Sequence, residues 1–443
     1  MIRKVVLSLI IVSITSLTAC GERGSTPTIE NNAGRTDATF ATTDIDDRSS
    51  FIIHNVRLFD GSELLGGKSI LVVNGLIESI ANSTDSFPPL RRIDGQGGTL
   101  MPGLMDAHSH TQTLFQLEET LRFGVTTIFD MATAPAAAKM LREAARTRDD
   151  VADFRSAVHL ATMPKGHGTQ YGREVPTLST PDEADAFVQA RVDEGADYLK
   201  IIVSGSRADQ GWPILDVETI KALVDAAHAR NMLAVAHIET TDDVRTVLAA
   251  DIDGLVHVWR TEGAAPDVAQ QLADDGVFVV TTLVTQDGFI DGAGGSTLVA
   301  DPRLRPYMSD KVVKELTTKG RGPSLSDIDR FIEAVSGLVD AGVIILVGTD
   351  VSVGTTFHGV SVHRELELLV RAGLSPQQAL TAATSNVANA YGLADRGVIA
   401  PGKRADLLLV RGDPTTDVTA TRDIISVWRG GIELDRELPN EGT

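Results

Sequence analysis

Between residues 101 and 394 an apolar stretch with strand character is followed by a helical one, and the alternation recurs eight times. The strand candidates are Leu104–His110, Val125–Met131, Arg155–Ala161, Tyr198–Ser204, Leu233–His237, Gly254–Val258, Val277–Leu283 and Val343–Thr349. Amphipathic segments such as "TPDEADAFVQARVDEGA" and "VETIKALVDAAHARN" lie between them. A helix after each strand carries the chain back so that the next strand runs parallel, and eight such units predict an α/β chain folded as a (β/α)8 TIM barrel. No segment repeats at a fixed period, so a solenoid is not expected. Residues 51–100 and 395–443 differ in character: short apolar runs broken by turn signals, among them Asp60-Gly61 and Asn74-Gly75, read as β strands and hairpins.

The first residues read as a leader. Arg3 and Lys4 precede the apolar run Val5–Ala19, which is too short to span a bilayer comfortably and fits the core of a signal peptide over residues 1–19. The run ends in Leu17-Thr18-Ala19-Cys20, which resembles the lipobox of bacterial lipoproteins. Cys20 is the only cysteine, so no intramolecular disulfide can form, and lipidation at Cys20 is the expected use of it. Gly21 in place of an aspartate after it favours, by the same resemblance, the periplasmic face of the outer membrane. Residues 20–50 are polar and too poor in apolar side chains to build a core, so they read as a flexible tether with a span of about 30 Å.

The formal charge of −20 disfavours nucleic acid or an anionic membrane surface as partner. It says nothing of the substrate, because the field inside a site can oppose the global one.

Polar residues recur at the ends of the expected strands, where a barrel of this kind places its active site. His108 and His110 close the first strand in "GLMDAHSH"; residues i and i+2 of a strand share a face, so both rings would converge on one point. Lys200 sits in the apolar run "ADYLKIIVSG", where its charge is costly. The fifth strand ends in His237 ("LAVAHIE") and the sixth in His257 ("DGLVHVW"), and the eighth is followed by Asp350 ("IILVGTD"). Each alone has a plain alternative: a structural histidine, a helix cap, a lysine reaching the surface. Six such residues at the same end of five strands point instead to a metal site. Neutral imidazoles suit zinc and similar divalent ions, and a carboxylate completes the set. A neutralised lysine can take up carbon dioxide as a carbamate, an anionic bidentate group able to bridge two metals.

Together with "IHNVRLFDG", "FGVTTIFDM", "AGLSPQQALTAATSNVANAYGL" and "GVIAPGKRADLLLVRGDP", these motifs resemble the amidohydrolase superfamily, in its imidazolonepropionase-related and prolidase-like branch. The resemblance spans nearly the whole mature chain. It implies two divalent metal ions, zinc by preference, bridged by a carboxylated Lys200. His108, His110 and Asp350 would hold one ion and His237 and His257 the other. Asp350 would also act as general base for a bridging hydroxide. The two β-rich flanks would pair into a small β-sandwich. The loop "MPKGHGTQYG" resembles one that relatives keep near the substrate, so His167 is the candidate to polarise a carbonyl and Tyr171 to donate to an oxyanion; an ordinary glycine-rich loop is the alternative. Asp106 is expected either to orient a ligand or to stabilise a turn. Arg173, Arg207 and Arg260 lie in loops at the expected barrel mouth, where one could bind a substrate carboxylate. His54, His159, His228, His358 and His363 read as structural.

Two features depart from deaminases of the same superfamily: Glu239 follows His237 by two residues rather than three, and Lys200 is present. Trp259, beside His257, is expected to narrow the pocket or stack on the substrate. The reading is therefore a hydrolase of amide bonds in dipeptides or N-acyl amino acids. Lactones, cyclic amides or organophosphates on the same centre are the alternative, and a non-catalytic binding lipoprotein is the remote one. Association into a homo-oligomer is compatible with this architecture.

Overall fold

The structure, a computed structural model, describes residues 45–172, 174–205, 211–290, 293–318, 328–351, 353 and 355–438. The signal peptide, Cys20, most of the expected tether, Arg173 and Arg207 lie outside the described residues.

Both flanks enter one sheet. β1 (Phe51–Phe59), β2 (Leu64–Val73), β3 (Leu76–Ala81), β4 (Arg92–Asp94) and β5 (Thr99–Pro102) come from the first flank. Their sheet is completed by β14 (Leu407–Val410), β15 (Ile424–Arg429) and β16 (Ile432–Glu433) of the second. The order is β16-β15-β14-β5-β1-β2-β3, with β4 on β1, and the flanks join where β5 pairs antiparallel with β14. The tight β2–β3 turn forms because Asn74 and Gly75 adopt φ of 49° and 78°, the twist that suits a two-residue hairpin. A β-carbon on Gly75 would stand 2.4 Å from the Gly430 carbonyl oxygen, so the position also needs glycine sterically. Where the sequence predicted two packed sheets, hydrogen bonding runs through a single eight-stranded one that curls back on itself. Ile77 N donates to Lys403 O and Gly402 N to Ile77 O, both at 2.8 Å. The curl encloses Phe51, Ile53, Leu58, Ile70, Leu407 and Trp428. The folded part also begins before Phe51. Ser49 and Ser50, assigned above to the tether, are buried, because the β2–β3 turn uses them: Gly75 N donates to Ser49 O and Asn74 N to Ser50 Oγ, each at 2.9 Å.

All eight strands expected in the middle of the chain are present and parallel. β6 (Leu104–Ser109), β7 (Val125–Asp130) and β8 (Asp153–Ser156) form one sheet. β9 (Leu199–Ile202), β10 (Ala234–His237), β11 (Gly254–Val256), β12 (Phe278–Val280) and β13 (Ile345–Leu346) form the other. The two sheets meet at both edges through parallel bridges, Ala161 with Ile201 and Ser109 with Val351. Most strands stop short of the apolar runs that predicted them, for a local reason. Val158, His257, Thr282 and Asp350 all take positive φ, so the chain leaves extended geometry there while its apolar side chains stay buried. The helices follow their sequence signals. Asp216 accepts from Thr219 N at 2.8 Å and caps helix Val217–His228; the other quoted segment forms a 3-10 turn, Pro181–Glu183, running into helix Ala184–Asp193.

Candidate metal centre

β6 carries Asp106 and His108 on one face, both buried, and His110 follows directly. The hydrogen bonds of Asp106 go to backbone and hydroxyl groups. Its carboxylate accepts from His108 N at 3.2 Å, from Thr349 N at 3.0 Å and from the Thr349 hydroxyl. It therefore pins the segment after β13 against β6, and that pin brings Asp350 to the histidines. Asp350 Oδ1 lies 3.3 Å from His108 Nε2 and 3.1 Å from His110 Nε2. A β-carbon on Gly348 would stand 2.9 Å from that of His108, so this close approach needs a glycine before Thr349.

The other side of the cluster comes from β9, β10 and the end of β11. Lys200 pairs in register with Val235, and its side chain is buried with no hydrogen-bond partner for Nζ. The His257 ring lies 4.8 Å from that of His108 and 4.6 Å from that of His237. His257 Nδ1 is 2.8 Å from Thr282 Oγ1, which fixes the ring plane. Thr282 holds a left-handed backbone, φ 53°, an outlier for a β-branched residue. The buried carboxylate of Glu365 holds it there by accepting from Leu283 N at 3.0 Å, Val284 N at 2.6 Å and the Thr281 hydroxyl. His257, Thr282 and Asp350 are all non-glycine residues at positive φ, the kind of backbone strain that functional sites concentrate.

The electrostatics favour ligands in their binding forms. Burial, helped by the nearby Lys200, holds the His108 pKa down to about 3, and burial with the neighbouring His237 holds His257 well below its usual value. Both imidazoles are neutral at neutral pH. Burial alone would raise the Asp350 pKa, but His108 and His110 outweigh it and keep the carboxylate ionised. Burial brings Lys200 down to about 7, where a large share of its amine is neutral, and pushes Asp106 up to about 7.

Among the described residues two donor triplets lie within metal-binding reach: His108, His257 and Asp350, and separately His167, His237 and Glu239, with ligand atoms in each no more than 4.8 Å apart. Nδ1 of His108, Nε2 of His237 and Nζ of Lys200 are buried without hydrogen-bond partners. An orphaned buried polar atom costs about 1–3 kcal/mol, and three in one cluster of neutral imidazoles, amine and carboxylate fit a divalent ion.

The second triplet was not foreseen. In the sequence Glu239 argues only against a deaminase, yet it is buried beside His237, 3.7 Å between Oε1 and Nε2, and it accepts from Arg260. Arg260 thus pairs with a buried carboxylate. His167 stands with the cluster, its ring 4.8 Å from His237 and 5.4 Å from Trp212, with Nδ1 3.0 Å from Ser204 Oγ. Tyr171, in the same loop, is 65% exposed. Trp259 corrects an expectation: it is fully buried in the main core and donates to Gly263 O at 2.8 Å, so it does not line the pocket. Trp212, which no sequence signal singles out, is the indole beside His167. Of the histidines read as structural, His363 is buried with Nδ1 2.9 Å from Thr421 Oγ1 and Nε2 3.0 Å from Phe123 O, and His228 pairs with Asp253.

Residues 99–433 match the amidohydrolase family model. Ochratoxinase of Aspergillus niger is 25% identical over 260 residues, 56% of this chain and 48% of that protein, so the match spans about half the length of that relative. Imidazolonepropionase of Salinispora arenicola is 24% identical over 400 residues, 84% of this chain and 91% of its own. Among solved structures, a prolidase complexed with N-methylphosphonate-L-proline superposes with a TM-score of 0.70 at 21% identity, over 88% of this chain and all of that one, which bears on the fold alone.

Proposed function

Because this chain belongs to the amidohydrolase family, whose members are metal-dependent hydrolases, we propose that it cleaves C–N bonds of small amides, dipeptides or N-acyl amino acids, at a centre of two divalent ions. We take the eight parallel strands as a closed (β/α)8 barrel, with the centre at their C-terminal ends. The observation that carries the reading is Lys200, an amine buried without a partner among His108, His237 and Asp350 and shifted to about 7. On this reading Lys200 would be carboxylated and would hold two ions together with His108, His110 and Asp350 for one and His237 and His257 for the other. Zinc suits the imidazoles best. Bound metal supplies Lewis acidity toward the scissile carbonyl and makes water nucleophilic near neutral pH.

The protein's own groups do the rest. Asp350, kept ionised by His108 and His110, takes a proton from the attacking water and returns it to the leaving nitrogen. His167, anchored through Nδ1 on Ser204, polarises the scissile carbonyl. Tyr171 donates to the developing oxyanion once its exposed loop settles on substrate.

The test is turnover of a library of dipeptides and N-acyl amino acids by the chain from Cys20 onward, with zinc and bicarbonate, and with a chelator control. Chelator-sensitive cleavage is expected. If two ions are bound and no amide is cut, the bond type is wrong and lactones, cyclic amides and phosphoesters come next. If no metal binds after reconstitution, the enzyme centre itself is wrong.

The same reading places the mature protein on the cell envelope, held by lipid on Cys20 and the tether behind it, with any homo-oligomer forming there. Mass spectrometry of the N-terminal peptide is expected to find a diacylglyceryl adduct on Cys20, lost in Cys20→Ser. An unmodified cysteine would refute the anchor.

A further inference from the structure

Asp153 opens β8, so it lies at the opposite end of the parallel strands from the metal donors. There a cleft of about 670 Å³ runs between helix Pro135–Thr147, the start of β8 and the end of β15. Seven of its fourteen lining residues are arginines and only two are acidic, in a chain of net charge −20. Arg396, Arg404 and Arg429 converge on the one carboxylate of Asp153, Arg404 Nη1 at 2.6 Å. Arg142 and Arg155 share Asp197, at 2.9 and 3.1 Å. Asp406, behind the wall, takes Arg404 Nε at 2.8 Å. At the rim Arg146 pairs with Glu143 and Arg148 with Glu118 and Asp150, so these two are neutralised. The five inner guanidinium groups stand on three carboxylates. The remaining partner, Asp395 on Arg396, is 53% exposed, so water screens it.

Two observations mark the inner arginines as a place for an anion rather than a finished ion network. Arg429, whose side chain is 91% buried, leaves Nε without a hydrogen-bond partner. Arg155 and Arg142 reach Asp197 through one terminal nitrogen each and keep further N–H groups, on side chains 39% and 26% exposed at the cleft. Guanidinium forks arriving from several elements suit the tetrahedral oxygens of a phosphoryl group better than a flat carboxylate. We propose that this cleft binds a phosphoryl oxyanion, at a site separate from the hydrolytic centre. Its source is either free phosphate and its monoesters or the headgroup of a phospholipid. The rim favours neither but sits close to the start of the fold, since Asp149 pairs with Arg48 at 2.7 Å.

The experiment titrates inorganic phosphate into the metal-loaded chain by calorimetry, against chloride at matched ionic strength, for wild type, Arg155→Gln and Arg404→Gln. Wild type is expected to bind saturably, and Arg155→Gln at least about tenfold more weakly with its hydrolytic turnover unchanged. Arg155→Gln leaves Asp197 paired with Arg142, so the fold is retained; Arg404→Gln gives a second, deeper probe. Identical titrations in all three proteins would mean that phosphate goes to the metals alone, and no phosphate-specific heat would mean that the arginines only clamp the sheet to the strands. Either result overturns the proposal. Co-sedimentation of a Cys20→Ser chain with phosphatidylglycerol vesicles, but not with phosphatidylcholine and not after Arg155→Gln, would identify the headgroup. Phosphate binding without vesicle capture would identify the soluble ligand.

Discussion

Lys200→Met is expected to cut bound metal from two ions per chain toward one and to lower turnover by roughly a thousandfold or more, a loss of several kcal/mol of transition-state stabilisation. Methionine keeps the volume and apolar stem of the lysine, so it removes the ligand without opening a cavity. The same substitution separates a ligand from a structural residue by its effect on the metal-free protein. The buried amine has a pKa of about 7 against 10.5 in the unfolded chain. Between those values the unfolded state binds more protons, so the stability of metal-free wild type rises with pH through that window. At neutral pH the group is a burden. The chelator-treated variant should therefore unfold at or above the wild-type urea midpoint at pH 7, and its stability should stay flat from pH 7 to 10. A variant that kept two ions and full turnover would remove the carbamate from the reading. A variant destabilised without metal would make Lys200 a packing residue.

What the sequence made legible is what period and polarity encode. The eight parallel strands follow from apolar runs spaced by amphipathic segments, and the convergence of His108, His237, His257 and Asp350 follows from their positions at strand ends. Lys200 was legible because a cation in "YLKIIVSG" has no cheap explanation. What escaped depends on side chains reaching across the chain. Nothing local in "HIET" says that Glu239 turns inward to His237 and takes Arg260, since a glutamate there is equally at home in solvent. Trp259 stands two residues after His257, whose φ of 75° redirects the backbone and sends the indole into the core. Glu365 sits in a helix more than 80 residues from the turn it holds. The seven arginines of the cleft are spread from position 142 to 429, and only the fold gathers them. The edges of elements were likewise set by tertiary geometry: the single curled sheet depends on Ile77 meeting Gly402 and Lys403, a pairing that no turn signal announces.

Asp350→Asn is expected to lower kcat by about 10² to 10⁴, the range a positioned proton-transfer group contributes, with KM and the thermal midpoint little changed. Asparagine is the informative replacement for two reasons. It preserves the shape of the side chain, and it tolerates the φ of 53° that position 350 adopts, whereas alanine there would add backbone strain to the loss of the carboxylate. The amide oxygen can still approach His108 and His110 but can neither take a proton nor supply the negative charge. The wild-type pH profile bears on the same point. His108 and His110 hold the Asp350 carboxylate well below its usual range, so its protonation lies at strongly acidic pH. Any acid limb of kcat/KM near neutrality must then come from other groups, and Asp350→Asn should lower the plateau without moving that limb. If the variant loses its metal, the carboxylate is chiefly a ligand. If it keeps both metal and turnover, the proton travels by another route, and the buried Glu239 beside His237 becomes the group to replace next.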